Sequence, residues 1–141
     1  MTFLLDTNVI SEFAREEPES RVVNWLQAHG DMPMYLSVIT IGELQQGIAR
    51  LPASKKREQL TMWLEQMLIP AYENFILPLD AQTMLLWGAL TGELMQQGRK
   101  LPVMDGMIAA TAVQYNLTLV TRNVADFADT GVTLVNPWTA A

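Results

Sequence analysis

Short apolar runs alternate along this chain with longer segments in which apolar residues recur every three to four positions. Runs typical of buried strands cover residues 2–5, 34–38, 117–121 and 132–135, and a shorter run covers 75–77. Parallel strands need crossover connections, usually helices, and these helices cover both faces of the sheet. The alternation therefore predicts an α/β fold with a central, mostly parallel sheet flanked by helices on both faces.

The helical segments carry apolar stripes that would face this sheet. In the strongest pattern, one helix face holds Leu60, Trp63, Leu64, Met67 and Leu68. The other expected helices are 9–14, a segment that begins near Pro18 and ends near Gly30, one capped by Thr40, one capped by Asp80 and ended by Gly98, and one opened by Asp105. No repeat, linker or low-complexity stretch divides the chain, which predicts one domain over residues 1–141.

Composition narrows the class of protein. Half of the 141 residues are hydrophobic, which suits a packed core and is too many for a disordered chain. No apolar run approaches the ~18 residues that a membrane span needs, so we expect no membrane association. The first residues lack the basic stretch of a signal peptide and soon reach Asp6. Together with the absence of cysteine, these features favour a cytoplasmic protein.

The scarcity of cysteine and histidine limits the chemistry. Without cysteine there is no disulfide, no thiolate metal site and no cysteine nucleophile, and His29 is the single histidine. A metal would have to be held by oxygen ligands, which favours magnesium or manganese over zinc. A Ser-His-Asp hydrolase is also disfavoured, because no nucleophile elbow accompanies His29.

Four acidic residues fall at the ends of predicted elements. Asp6 ends the first strand, Glu43 lies in the first turn of the helix after the second strand, and Asp105 opens a later helix. Asp126 follows the strand that ends at residues 121–122. Ligands of open α/β sheets bind beyond the carboxyl ends of the strands, so this topology can bring the four carboxylates to one edge.

Four carboxylates in a small volume need protons or cations between them. Divalent cations are the simpler answer, and they could activate a water for attack on a phosphodiester. Each acid also has a purely local explanation. These explanations are an N-cap at Asp6 or Asn8, helix-dipole stabilisation by Glu43 and Asp105, and a capping box between Asn123 and Asp126.

The net charge of −6 is unusual for a protein that binds nucleic acid. Without the four acids, eleven acidic residues face nine basic ones, so much of the excess belongs to the predicted site. The basic clusters 55–57 and 99–100 could flank an RNA path, or they could be solvated helix ends. Arg122 could contact phosphate, or it could be a solvated charge at a strand end.

The motifs that contain these acids resemble those of the PIN-domain ribonucleases. They are residues 3–13 (FLLDTNVISEF), 37–50 (SVITIGELQQGIAR), 101–112 (LPVMDGMIAATA) and 117–127 (LTLVTRNVADF). Within that family the chain resembles the VapC toxins of bacterial type II toxin–antitoxin pairs, especially the FitB-like branch, which the Asn136-Pro137-Trp138 ending also fits. The likeness runs over essentially the whole chain in the same order.

The resemblance implies a role for each matching residue. It implies that the catalytic and metal-binding acids are Asp6, Glu43, Asp105 and Asp126, with Asp6 and Asp105 as the principal ligands and Asp126 often acting through water. It further implies that the polar residues orienting these ligands and the water, or contacting phosphate, are Thr7, Asn8, Thr121, Arg122 and Asn123.

The resemblance also implies an activity and partners. The activity is Mg²⁺- or Mn²⁺-dependent endoribonucleolytic cleavage of RNA, often structured RNA such as tRNA. The partners are a second copy of the chain and a cognate antitoxin that holds the toxin inactive and binds DNA for both. The Met-, Leu- and Trp-rich helices near 54–69 and 80–98 could supply such interfaces, or they could belong to the core.

Three other readings compete. A haloacid-dehalogenase-like phosphatase needs a second acid two residues after Asp6, where this chain has Asn8. A receiver domain needs a later lysine that is not convincing here. A binding module that keeps the fold but acts mainly through an antitoxin complex on DNA is the remaining alternative, and the four acids at matching positions argue against it.

Overall fold

A five-stranded parallel sheet forms the centre of the molecule in the computed structural model, which describes residues 2–140. The strands are β1 (Phe3–Leu5), β2 (Met34–Ser37), β3 (Ile76–Leu77), β4 (Thr118–Val120) and β5 (Leu134–Val135). Their order across the sheet is β3-β2-β1-β4-β5, and each neighbouring pair is parallel. The predicted α/β class is confirmed.

In the part of the chain that the structure describes, seven α-helices connect the strands. They are α1 (Thr7–Phe13), α2 (Ser20–Ala28), α3 (Val38–Ala49), α4 (Lys55–Met62), α5 (Ile69–Ala71), α6 (Ala81–Gln96) and α7 (Val103–Gln114). A π-helical stretch, Trp63–Leu68, joins α4 to α5, and a 3₁₀ turn, Val124–Phe127, follows β4. Within residues 2–140, no helix has the length and apolar character that crossing a bilayer requires.

Successive side chains of each strand point to opposite faces of the sheet, so the core has two layers. In β1, Phe3 and Leu5 pack into one buried cluster with residues of α1, α2 and the π-helical stretch, whereas Leu4 packs into another with residues of α7. This is the two-sided burial that strands of a parallel sheet require. The apolar helix face predicted after Ser54 is only partly buried, because Leu64 and Leu68 are buried whereas Met67 is exposed.

The strand order creates a switch point between β1 and β4. From β1 the chain steps outward through β2 to β3, and it then returns to the other side of β1 to form β4 and β5. The backbone N–H of Asp6 donates to the carbonyl of Val120 at 2.9 Å, which ties the end of β1 to β4. A crevice opens at such a point beyond the carboxyl ends of the strands.

Three local predictions need correction. The cap of α3 is Ser37 and not Thr40, because the Ser37 hydroxyl accepts from the Ile39 N–H at 3.0 Å while Thr40 is buried inside the helix. With this earlier start, Glu43 lies in the second turn of α3 and not the first. Helix α7 begins at Val103, so Asp105 lies in its first turn but does not open it.

Helix α7 packs closely on α6 beside Asp105. A methyl group on Gly106 would lie 2.9 Å from Trp87 Nε1 and 3.3 Å from Thr91 Cγ2. The Trp87 N–H is buried there and has no hydrogen-bond partner among the described residues. Only a residue without a side chain allows this approach, so Gly106 fixes where the first turn of α7 sits.

We predict that Gly106→Ala destabilises the fold by about 1–3 kcal/mol, because the added methyl overpacks the contact with Trp87. The matched control is Gly92→Ala on α6, which meets no atom within 4 Å and should be neutral or stabilising by up to about 1 kcal/mol. Urea unfolding of both variants measures the difference. Equal stabilities would show that the contact does not constrain the helix pair.

Candidate active site

Asp6 is fixed at the switch point by hydrogen bonds to both carboxylate oxygens. It is 4% exposed, Oδ1 accepts from the Thr7 N–H at 2.8 Å, and Oδ2 accepts from the Thr121 hydroxyl at 2.8 Å. Asp6 is therefore the N-cap of α1 and also the polar link between β1 and the end of β4. Asp6 therefore caps α1 and also lies at the edge of the sheet where the site was predicted, so its two interpretations from the sequence are compatible.

Asn8 extends this link to the loop after β4. Its Nδ2 lies 3.4 Å from Asp6 Oδ2 and 3.3 Å from Thr121 Oγ1, and its Oδ1 accepts from the Arg122 N–H at 3.2 Å. The Thr121 hydroxyl also accepts from the Asn123 N–H at 3.0 Å. Asn8 thus bridges two elements and does not cap α1, which supports an orienting role.

Glu43 reaches the same edge from α3. The Thr7 hydroxyl donates to Glu43 Oε1 at 2.6 Å and lies 3.0 Å from the Thr40 hydroxyl. Because Thr7 follows Asp6 directly, this bond fixes the second acid relative to the first. Because Glu43 lies in the second turn of α3, the helix dipole explains its position poorly, since that effect falls off within the first turn.

Burial and neighbouring carboxylates act together on Asp105. Burial, together with the negative charges of Asp6, Glu43 and Asp126, raises the pKa of Asp105 from its ordinary value of 3.8 to about 6. Burial also raises the pKa of Asp6, against the opposing effect of its hydrogen bonds to Thr121 and Thr7. The four acids therefore share one electrostatic environment.

A cavity of about 480 Å³ opens over this cluster. Its lining includes Asp6, Thr7, Asn8, Glu43, Asp105, Arg122 and Asn123. Thr121 is fully buried and contributes through Asp6, because its hydroxyl donates a hydrogen bond to the Asp6 carboxylate. Asp126 is exposed and is not part of the described lining, so it reaches the cavity through its charge. The proposed capping box is wrong, because the Asn123 side chain makes no cap hydrogen bond.

Sequence reasoning missed part of the lining. Four further residues also border the cavity: Ser11, Glu12, Arg15 and Trp138. Glu12 lies one helical turn after Asn8, and that i, i+4 spacing was the available signal. The guanidinium of the exposed Arg122 lies 5.2 Å from the ring centroid of Trp138, a cation–π contact that places Arg122 at the border of the cavity.

The donor set suits a hard divalent cation. The ionisable groups at the cavity are carboxylates and guanidinium groups, whereas His29 stacks on Trp25 at 4.2 Å elsewhere. Within residues 2–140, no three acidic or histidine side chains already form a complete ligand set. Magnesium usually binds through one or two carboxylates and retains several waters, so it fits a site of this kind.

Asp105 should destabilise the fold when no cation is present. Because folding raises its pKa, the folded protein holds this proton more tightly than the unfolded chain, and the penalty is full above pH about 6 and fades as the pH falls toward 3.8. We predict that Asp105→Asn has a higher Tm than the wild type in chelator at neutral pH. Loss of a favourable first-turn charge, worth ~0.5 kcal/mol, reduces the gain.

The control is Asp31→Asn, which changes an exposed acid outside the cavity and should leave Tm unchanged. Thermal unfolding followed by circular dichroism at two pH values measures both variants. A Tm for Asp105→Asn at or below that of the wild type at neutral pH would contradict the proposed repulsion.

Comparison with known proteins identifies the family of the chain. Residues 3–132 match the PIN domain family. Toxin FitB of Neisseria gonorrhoeae is 41% identical over 135 residues, covering 96% of this chain and 97% of FitB. VapC ribonuclease Y4jK of Sinorhizobium fredii is 37% identical over 138 residues, covering 98% and 99%.

A solved structure shows the same fold. The structure of FitAB bound to an IR36 DNA fragment superposes with a TM-score of 0.90 at 38% identity, covering 99% of this chain and 97% of that one. Sequence motifs, strand order and site geometry converge on one assignment. The chain belongs to the PIN domain family, and within it to the group that contains FitB and the VapC ribonucleases.

Proposed function

We propose that this chain is a metal-dependent endoribonuclease and the toxin of a toxin–antitoxin pair. The observation that carries the proposal is the convergence of Asp6, Glu43 and Asp105 on one cavity at the switch point, with Asp126 adding its charge. The names of relatives that match nearly the whole chain, a toxin and a ribonuclease, support both parts of the proposal.

The proposed cofactor is Mg²⁺ or Mn²⁺. Asp6 and Asp105 would hold it, with Glu43 as a further ligand and Asp126 acting through water. When bound, the ion would acidify an attacking water and stabilise the charge that grows on the phosphate. The raised pKa of Asp105 supports a cation here, because a positive charge would relieve the repulsion among the acids.

The chain's own residues would orient the reacting groups. The Thr121 and Thr7 bonds keep both oxygens of Asp6 in one direction, and the Thr7–Glu43 bond keeps the second acid in register. Asn8 ties this array to the backbone of Arg122. Arg122, held over Trp138 at the cavity, would contact a phosphate of the RNA.

The proposed partners are a cognate antitoxin, a second copy of the chain and structured RNA such as tRNA. The FitAB structure with DNA supports an assembly that binds DNA, and the net charge of −6 on this chain favours the antitoxin as the component that contacts it. Met67, Leu85 and Met95 on the π-helical stretch and α6 are exposed, which supports a protein partner covering those helices. A purely DNA-regulatory module would not need the intact acid cluster.

RNA cleavage is the direct test. Purified, partner-free protein should cut an RNA pool in Mg²⁺ or Mn²⁺, and chelator should abolish the cleavage. Asp6→Asn and Asp105→Asn should each lose at least roughly a hundredfold in rate, because charge stabilisation at a reacting phosphate is lost. Asp31→Asn, an exposed acid outside the cavity, should cleave like the wild type. Equal cleavage by all four proteins would indicate a contaminating nuclease.

The toxin proposal has its own test. Expression of the wild type should arrest growth of a bacterial host, and expression of Asp105→Asn should not. Co-expression of the cognate antitoxin, encoded by a small neighbouring gene, should relieve the arrest. The antitoxin should also co-purify with the chain. Arrest of equal strength by the Asp105→Asn variant would separate toxicity from catalysis.

A further inference from the structure

The buried Glu12 carboxylate forms part of the cavity wall that the four-acid cluster does not explain. Glu12 is 4% exposed and lies on α1, two turns from Asp6. Its Oε2 accepts from the Glu19 N–H at 3.1 Å, and its two oxygens lie 3.3 and 3.2 Å from Arg15 Nη1. A buried carboxylate needs such compensation, so Glu12 holds the segment between α1 and α2 in place.

Arg15 is the outer partner of this pair. Its side chain is 65% exposed, and the contact with Glu12 uses one terminal nitrogen. A guanidinium has five N–H donors, so donors remain for another ligand. The buried Glu12 carboxylate lies against the Arg15 guanidinium and holds it beside the cavity.

The charge pattern of the cavity indicates the ligand. Its described lining holds the carboxylates of Asp6, Glu12, Glu43 and Asp105, and its cationic side chains are Arg15 and Arg122. A polyanion bound over the carboxylates would also have these two guanidinium groups at the border of the same cavity. Arg122 is held by Trp138 and Arg15 by Glu12, so both are oriented before a ligand arrives.

We propose that Arg15 contacts an RNA phosphate that flanks the one at the acid cluster, and that Glu12 is its positioning residue. This proposal rests on the proposed ribonuclease function. Arg15 and Arg122 border the same cavity from different elements, the loop after α1 and the loop after β4, so one RNA strand bound over the acids would contact both.

The test separates binding from cleavage. Affinity for a short labelled single-stranded RNA is measured against salt concentration in the Asp105→Asn background, with and without Arg15→Ala. We expect Arg15→Ala to weaken binding roughly tenfold and to reduce the slope of log K against log salt by about 0.7, the value for one phosphate contact on a single strand. Arg15→Lys should keep most of the slope.

In the cleaving protein, Arg15→Ala should raise KM with little change in kcat, because the contact is the same in the ground and transition states. Glu12→Gln should move KM in the same direction but less, at a Tm that shows it is folded. Arg50→Ala, an exposed arginine after α3 that does not border the cavity, is the matched control and should change neither KM nor the salt slope.

An unchanged salt slope and KM in Arg15→Ala would overturn the assignment. A wild type that cleaves no RNA, but whose binding still loses slope in Arg15→Ala, would overturn the proposed catalysis and support the Arg15 contact. If the Arg50 control lost as much slope as Arg15→Ala, the effect would be one of general charge and the assignment would fail.

Discussion

The hydrogen bond from Thr121 to Asp6 joins the ends of β1 and β4, the two strands beside which the acid cluster lies. It crosses the switch point of the sheet, where β1 and β4 end side by side, and it is buried. Thr7 bonds to Asp6, Asn123 bonds to Thr121, and Asn8 lies within hydrogen-bond distance of both. Through these contacts the bond helps to place Glu43 and the loop after β4. A buried bond to a carboxylate is worth about 1.5–3 kcal/mol, comparable with a sizeable part of a small domain's stability.

The acid cluster works against this stability. Burial and like charge raise the pKa of Asp105 to about 6, so near neutrality the folded chain carries a repulsion that the unfolded chain does not. The close packing of Gly106 on Trp87 keeps Asp105 next to the other acids in spite of that repulsion. Favourable packing elsewhere in the fold therefore offsets the repulsion among the acids and holds them in an arrangement suited to a cation. Shifted pKa values of this kind are common at functional sites.

The sequence was sufficient for much of this arrangement because two signals were strong. Alternating apolar runs predicted the parallel sheet, and an acid after a buried strand is informative at Asp6 because strand ends meet at one edge. The helix start at Ser37 was missed, since Ser37 and Thr40 both suit a cap and only the end of β2 decides between them. Glu12 was missed because a buried glutamate on a helix looks like a solvated one until its partners Arg15 and Glu19 are placed.

The balance of positive and negative charge within the cavity couples binding of the cation to binding of the RNA substrate. Glu12 is compensated by Arg15 and by a backbone N–H, which leaves Asp6, Glu43 and Asp105 facing the single guanidinium of Arg122. A phosphate approaching these carboxylates meets net negative charge unless a divalent cation lies between them. Affinity for the cation and affinity for RNA must then increase each other, since linkage is reciprocal. An overall charge of −6 is therefore compatible with an RNA substrate, because only the local balance at the cavity governs binding there.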